Sequence, residues 1–214
     1  MKNNKFIALL LTSILFLSLI VTSCSKEATA QECAQVLWDM NVRRDISNIS
    51  KIGLKEEDGK AVLNNDIIEA KEELRETFVD AEMKFTDKQL EDVCNSLLES
   101  YNKITVKVEE VSNDGKKAEI KYTTTYFDLV TLDEKASNDA VKSSEELGLT
   151  NETEIINKFS ELYIQNLIYE FKNVTVSTDT KEKTYTFLKK GTIWIPEDKT
   201  NFGTSIGQFI TNQI

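Results

Sequence analysis

Histidine is absent from all 214 residues. That removes the commonest general base, every His-based triad, and most transition-metal sites, which depend on imidazole. Any catalysis would have to come from carboxylates, tyrosines, lysines or a thiol, and neither a metal nor a cofactor is expected. Basic residues are in deficit: 26 Lys and Arg stand against 36 Asp and Glu, a formal net charge of −10 at pH 7. Such a chain has no electrostatic footprint for nucleic acid, so no nucleic-acid partner is expected. It is also repelled by anionic lipid headgroups. No basic patch is visible, since Lys116-Lys117 and Lys189-Lys190 fall where hairpin turns are expected. Proline occurs once and glycine seven times, with no repeat and no low-complexity linker, so no domain boundary is indicated.

Cysteine is scarce, with three in the chain. Cys33 and Cys94 each lie on the apolar face of a predicted helix, where a free thiol acts as a small hydrophobe. An even pair outside the cytoplasm equally permits a disulfide, and both alternatives stay open. A catalytic thiol is disfavoured, because no histidine or evident cation would lower its pKa.

Long apolar runs are missing except at the N-terminus. Lys2 and Lys5 precede residues 6–21 (FIALLLTSILFLSLIV), which end in Val21-Thr22-Ser23-Cys24. The run is shorter than the roughly 20 apolar residues that cross a membrane and fits a secretory h-region. An aliphatic residue, two small residues and a cysteine resemble the lipobox of bacterial lipoproteins. In that family the thiol receives a diacylglyceryl group, with palmitate as an expected acyl chain, and cleavage falls just before it. The resemblance implies a cleaved signal over residues 1–23, lipidation of Cys24, a short polar tether over 24–31 and a domain over 32–214. It also implies a place on the outer face of the cell membrane. Two acyl chains anchor stably where one is marginal, at roughly 0.8 kcal/mol per buried CH₂.

Helical signals lead the domain. Cys33, Val36, Leu37 and Met40 recur at helical spacing within residues 31–46. A polar stretch over 47–64 follows, with Ile49, Ile52 and Leu54 folding back. Asp66 and Glu69 resemble a capping pair for a helix that buries Ile67, Ala70, Leu74 and Phe78. Thr86 and Gln89 form a capping box for a helix with Leu90, Val93, Cys94, Leu97, Leu98 and Tyr101 on one face. The period then drops to two. Ile104, Val106 and Val108 alternate, and Asn113-Asp114-Gly115 marks a hairpin turn. The return strand is expected from Lys117 to about Thr131. Its apolar parity switches after Tyr126, which predicts a bulge or sharp bend there. A polar helix over 133–147 ends at Gly148, and Asn151 with Glu154 opens another, to Lys172. Strands are expected over 174–178, 183–189 and 192–195, the last stopped by Pro196. Phe202, Ile206, Phe209 and Ile210 form the stripe of a closing helix.

This order indicates an α+β fold, a curved antiparallel sheet packed on N-terminal and central helices. With its lipobox, Leu37-Trp38, the strand over 119–129 and Gly191-Thr192-Ile193-Trp194-Ile195, the chain resembles uncharacterised Gram-positive lipoproteins with a nuclear-transport-factor-2-like (cystatin-like) domain. Two residues separate Gly191 from Trp194 where that family has one, and the segment over 133–172 is an insertion. The resemblance implies a conical pocket used for ligands, for catalysis in a few members, and for dimer or partner contacts. Tyr122, Tyr126 and Asp128 share one parity of the long strand and are the candidate pocket group. A buried carboxylate beside phenols could transfer protons; against this, the tyrosines could be core residues and Asp128 could face water. The first expectation is a binding or protein-interaction module of the cell envelope, taking a small amphipathic ligand or an envelope protein. The alternative is a small lyase, isomerase or hydrolase built on that group. Glu56-Glu57-Asp58-Gly59 and Glu109-Glu110 lack the alternating ligand pattern of a calcium loop and read as solvated charge. Trp38 and Trp194 read as packing residues. The sequons at Asn48, Asn151 and Asn173 are coincidental in a bacterial lipoprotein.

Overall fold

The computed structural model describes residues 27–213. The signal segment, Cys24 and the start of the tether lie outside the described residues.

The first helix, α1 (Ala30–Arg43), opens with a capping box: Thr29 Oγ1 accepts from Glu32 N–H at 3.1 Å, and Glu32 accepts from Thr29 N–H at 2.9 Å. This satisfies two N–H groups that helix geometry leaves without partners. Cys33, Val36, Leu37 and Met40 are buried at the expected spacing, and Trp38 with them. A 3₁₀ turn (Ile49–Ile52) returns Ile49 and Ile52 to the core. Helix α2 (Glu56–Asp80) begins ten residues before the expected Asp66 start. Its first turns lack an apolar repeat because the packed position there is Gly59, whose missing side chain leaves room for Ile49 and Ile46. Asp66 does not cap a helix; it pairs with Arg44 at 2.9 Å. Helix α3 (Asp87–Tyr101) opens on the expected Thr86–Gln89 box.

Strands β1 (Val106–Asn113) and β2 (Lys117–Thr124) form the hairpin announced by Asn113-Asp114-Gly115. Gly115 has φ +85°, and the Asp114 carboxylate accepts from the N–H groups of Lys116 and Lys117. The irregularity in this pair lies in β1, between Glu110 and Ser112, not near Tyr126. Nor does β2 run to Thr131. It stops at Thr124, and the apolar parity switch marks a loop followed by α4 (Leu129–Glu146), with Asp128 as N-cap. Helix α5 (Glu152–Lys172) starts at Asn151 as expected and lies along α4. Tyr163 donates to Asp133 across that seam, and Asn166 donates to the Ala136 carbonyl at 3.2 Å. Residues 174–178 are not a strand; Ser177 instead exchanges hydrogen bonds with the Tyr126 backbone. Strands β3 (Lys181–Lys190) and β4 (Ile193–Pro196) and helix α6 (Phe202–Ile210) complete the order.

The sheet is an open antiparallel meander in the order β1-β2-β3-β4. One face carries Val108, Ala118, Ile120, Tyr122 and Phe187, all buried, and α1 and α6 cover it. Trp38 of α1 stacks on Tyr122 at 5.7 Å between ring centroids, and Phe202 of α6 meets Tyr185 at 5.1 Å and Phe187 at 5.8 Å. Such aromatic pairs contribute about 0.5–1.5 kcal/mol each beyond simple burial. The other face is polar. Lys121 pairs with Glu182 at 3.1 Å, and Thr186 donates to Glu119 at 3.1 Å. A single wetted face is the usual state of an antiparallel sheet. Cys33 and Cys94 are both buried and both free, which closes the disulfide alternative.

Candidate functional site

The three sequence-derived site residues fall into two surroundings. Tyr122 is sealed in the core, its ring between Trp38 and Tyr185, and its hydroxyl donates to the Ala34 carbonyl at 2.9 Å. Burial pushes this phenol well above its ordinary pKa. Tyr126 lies past the end of β2, half-buried, with the Lys181 ammonium 4.6 Å above its ring. Asp128 Oδ1 accepts from Thr131 N–H at 2.9 Å, and Oδ2 accepts from the Asn212 amide at 2.7 Å. Lys181 donates to the other end of that amide. Tyr126 and Asp128 therefore share one network through Lys181 and Asn212, and Tyr122 stands apart from it. The tail holds this network in place: Phe127 and Leu129 N–H groups donate to the carbonyls of Ile210 and Thr211.

Burial raises the Asp128 pKa, but the Thr131 N–H, the Asn212 amide, the Thr131 hydroxyl and the Val130 N–H outweigh it and hold the carboxyl below its ordinary value. It is thus an ionised cap rather than a proton donor near neutrality.

A second cluster lies beside the first on β3 and joins it to α6. Lys183 Nζ donates to Ser205 Oγ at 2.7 Å, and Ser205 Oγ shares a hydrogen bond of 3.1 Å with the Tyr185 hydroxyl. The Lys183 stem crosses two aromatic rings, with Nζ 5.5 Å from the Tyr185 centroid and 6.0 Å from that of Phe209. Among the described residues no carboxylate lies within ion-pair distance of Lys183 or Lys181. Burial lowers the Lys183 pKa, and it lifts the Tyr185 phenol to about 12 against the lowering effect of Ser205. A hydroxyl held between an amine and a phenol can accept or pass on a proton, and a cation without a counter-ion attracts anionic groups.

Sequence reasoning missed this cluster because Lys-Glu-Lys-Thr-Tyr-Thr over 181–186 reads as a solvated strand. The available signal was parity: Lys183 shares a face with Tyr185 and Phe187, so it must point toward the core. Ser205 sits between Gly203 and Gly207, but it lies inside α6 and not on a strand-to-helix turn, so the Gly-x-Ser-x-Gly spacing does not form a nucleophile elbow here. Among the described residues, no group of three or more His, Cys, Asp or Glu side chains is placed to hold a metal ion.

No protein-family model matches the chain, and no curated protein matches it by sequence. Among solved structures, the crystal structure of a candidate lipoprotein (ycdA) from Bacillus subtilis subsp. subtilis str. 168 shares the fold, with a TM-score of 0.63 at 14% identity. The similarity covers 85% of this chain and 55% of that one, so the chain spans little more than half the length of that structure.

Proposed function

We propose that the chain is an extracytoplasmic lipoprotein, held on the outer face of the cell membrane by acyl chains on Cys24, whose domain is a binding or protein-interaction module of the cell envelope. The observation that carries this reading is the lipobox Val21-Thr22-Ser23-Cys24, which leads almost directly into the fold: Glu27 is already paired with Lys189. The fold shared with the ycdA protein supports the same address. Interaction at the surface is favoured over chemistry in an enclosed pocket, because Tyr122 is covered by rings and its hydroxyl is engaged. The half-buried groups available to a ligand are Lys181, Lys183, Tyr185, Ser205 and Asn212, which suit a small amphipathic ligand with an anionic head. The test is fractionation of cells producing the wild-type chain and Cys24→Ala. The wild type is expected in the membrane fraction, with a diacylglyceryl mass on a peptide that begins at Cys24. Membrane retention of Cys24→Ala would refute the anchor.

A second reading, a small hydrolase, is favoured by the Lys183–Ser205–Tyr185 arrangement rather than by Asp128. Neutral Lys183 would take the Ser205 proton as Oγ attacks an ester carbonyl, then return it to the departing alcohol; water would release the acyl group from Ser205. A fluorophosphonate probe that labels Ser205 in the wild type, and nothing in Ser205→Ala, supports this reading. Absence of any adduct removes it.

A further inference from the structure

The two lysine pairs that the sequence separates meet at one end of the sheet. Lys116 lies in the β1–β2 turn and Lys117 opens β2, Lys189 and Lys190 end β3, and Lys189 N–H donates to the Lys116 carbonyl at 2.8 Å. The N-terminus arrives at the same end, where Glu27 pairs with Lys189 and Ala28 is buried. Two residues separate Glu27 from Cys24, and a fully extended chain over those three steps reaches only about 10 Å. Four carboxylates share this end with the four lysines; two are ion-paired and two accept only from neutral N–H groups. Glu27 is held by Lys189, Asp114 by the Lys116 and Lys117 N–H groups, Glu119 by Lys117 and Thr186, and Glu110 by the Asn113 amide. Lys116 and Lys190 are exposed, and among the described residues neither has a carboxylate within ion-pair distance. Val111, beside the irregularity in β1 and near the same turn, is 60% exposed.

We infer that this end of the sheet is a membrane-docking surface, with Lys116 and Lys190 facing anionic phospholipid headgroups and Val111 at their margin. The inference rests on lipidation of Cys24. The two residues between Cys24 and Glu27 cannot hold the domain clear of the bilayer, so one face must meet it. In a chain of net charge −10 this end, with four lysines beside four carboxylates, is close to neutral, so headgroups repel it less than the chain as a whole. Each lysine brought within a Debye length of such a surface shifts a binding ratio about fivefold. The Lys181–Asn212–Asp128 network is then held at the opposite end of the sheet, facing away from the membrane.

The test uses the full lipidated chain, purified from membranes and reconstituted into vesicles of phosphatidylglycerol and phosphatidylcholine. Lysine acetylation is read by peptide mass spectrometry against the same protein in neutral detergent. Lys116 and Lys190 are expected to be protected severalfold, and Lys88 and Lys142, on α3 and α4, to be unchanged. Protection should fall in high salt, and Lys116→Glu with Lys190→Glu should expose Lys117. Equal labelling of all four reporters, with the lipid mass present on Cys24, overturns the docking surface alone. Equal protection in phosphatidylcholine vesicles also overturns it, since charge would then play no part. Absence of the lipid mass overturns the anchoring reading, and the docking surface falls with it.

Discussion

Tyr122 donates its hydroxyl to the Ala34 carbonyl at 2.9 Å, so β2 is joined to α1 by a hydrogen bond closed off from water. Tyr122→Phe keeps the ring contacts with Trp38 and Tyr185 and removes only that bond. A loss of about 1 kcal/mol is expected from urea unfolding. Tyr122→Ala also opens a cavity beneath α6 and should cost about 3–5 kcal/mol. Equal losses in the two variants would mean that the hydrogen bond, not the ring, holds this part of the core.

Asp128→Ala removes the N-cap of α4 and the link to Asn212, and should cost about 1 kcal/mol at neutral pH. Asp128→Asn retains a capping oxygen and should cost less. Because the folded carboxyl lies below the ordinary value of 3.8, its stabilisation is complete above that value and is lost as pH falls through the folded pKa. The wild-type advantage over Asp128→Ala, followed by thermal unfolding at a series of pH values, should therefore shrink only on the acid side. An advantage that shrinks on approaching neutrality would contradict the ionised cap.

Cys33 and Cys94 should resist alkylation in the folded chain. Burial raises both thiols, Cys94 to about 11, so little thiolate exists near neutral pH. Denaturation without reductant should make both fully reactive to iodoacetamide. An unreactive pair under those conditions would reveal a disulfide.

Gly59→Ala would ordinarily stabilise a helix by about 1 kcal/mol. Here the added Cβ would lie 2.5 Å from Ile49 Cδ1 and 3.2 Å from Ile46 Cγ2. Overpacking of this kind costs about 1–3 kcal/mol, so the variant should be less stable by about 1 kcal/mol. A higher melting temperature would show that Ile49 can move aside freely.

Local signals were legible where one residue type has one common use. The Thr86–Gln89 box, the Asn113-Asp114-Gly115 turn, the Asn151 start of α5 and the stripe of α6 all appear where their chemistry indicates. The failures share a cause: a residue's partner lay far away in sequence. Asp66 looked like a cap but serves Arg44, and Gly59 fell in a stretch read as polar and solvated but provides room for Ile49. Asp128 looked like part of a strand because Phe127 and Leu129 are apolar; they are buried by a loop and a helix end rather than by a sheet. The candidate site was half legible. Tyr126 and Asp128 do share a network, but Lys181, Lys183, Ser205 and Asn212 enter it from β3 and the C-terminal segment. The lysine cluster at the turn end of the sheet was hidden for the same reason, since Lys116-Lys117 and Lys189-Lys190 become neighbours only when β2 pairs with β3.

The pairing of β2 with β3 spans both α4 and α5 in the chain, and the core face so formed is then covered by α6, the last helix. A chain growing from its N-terminus can close each hairpin early, but it must wait for α6 before α1's cover of that face is completed. Until Phe202 arrives, Tyr185 and Phe187 lack their covering ring. Synthesis that stops before Phe202 would yield the four-stranded sheet with an open apolar side. Such a product would be an adhesive species, which makes α6 the segment on which closure of this face depends.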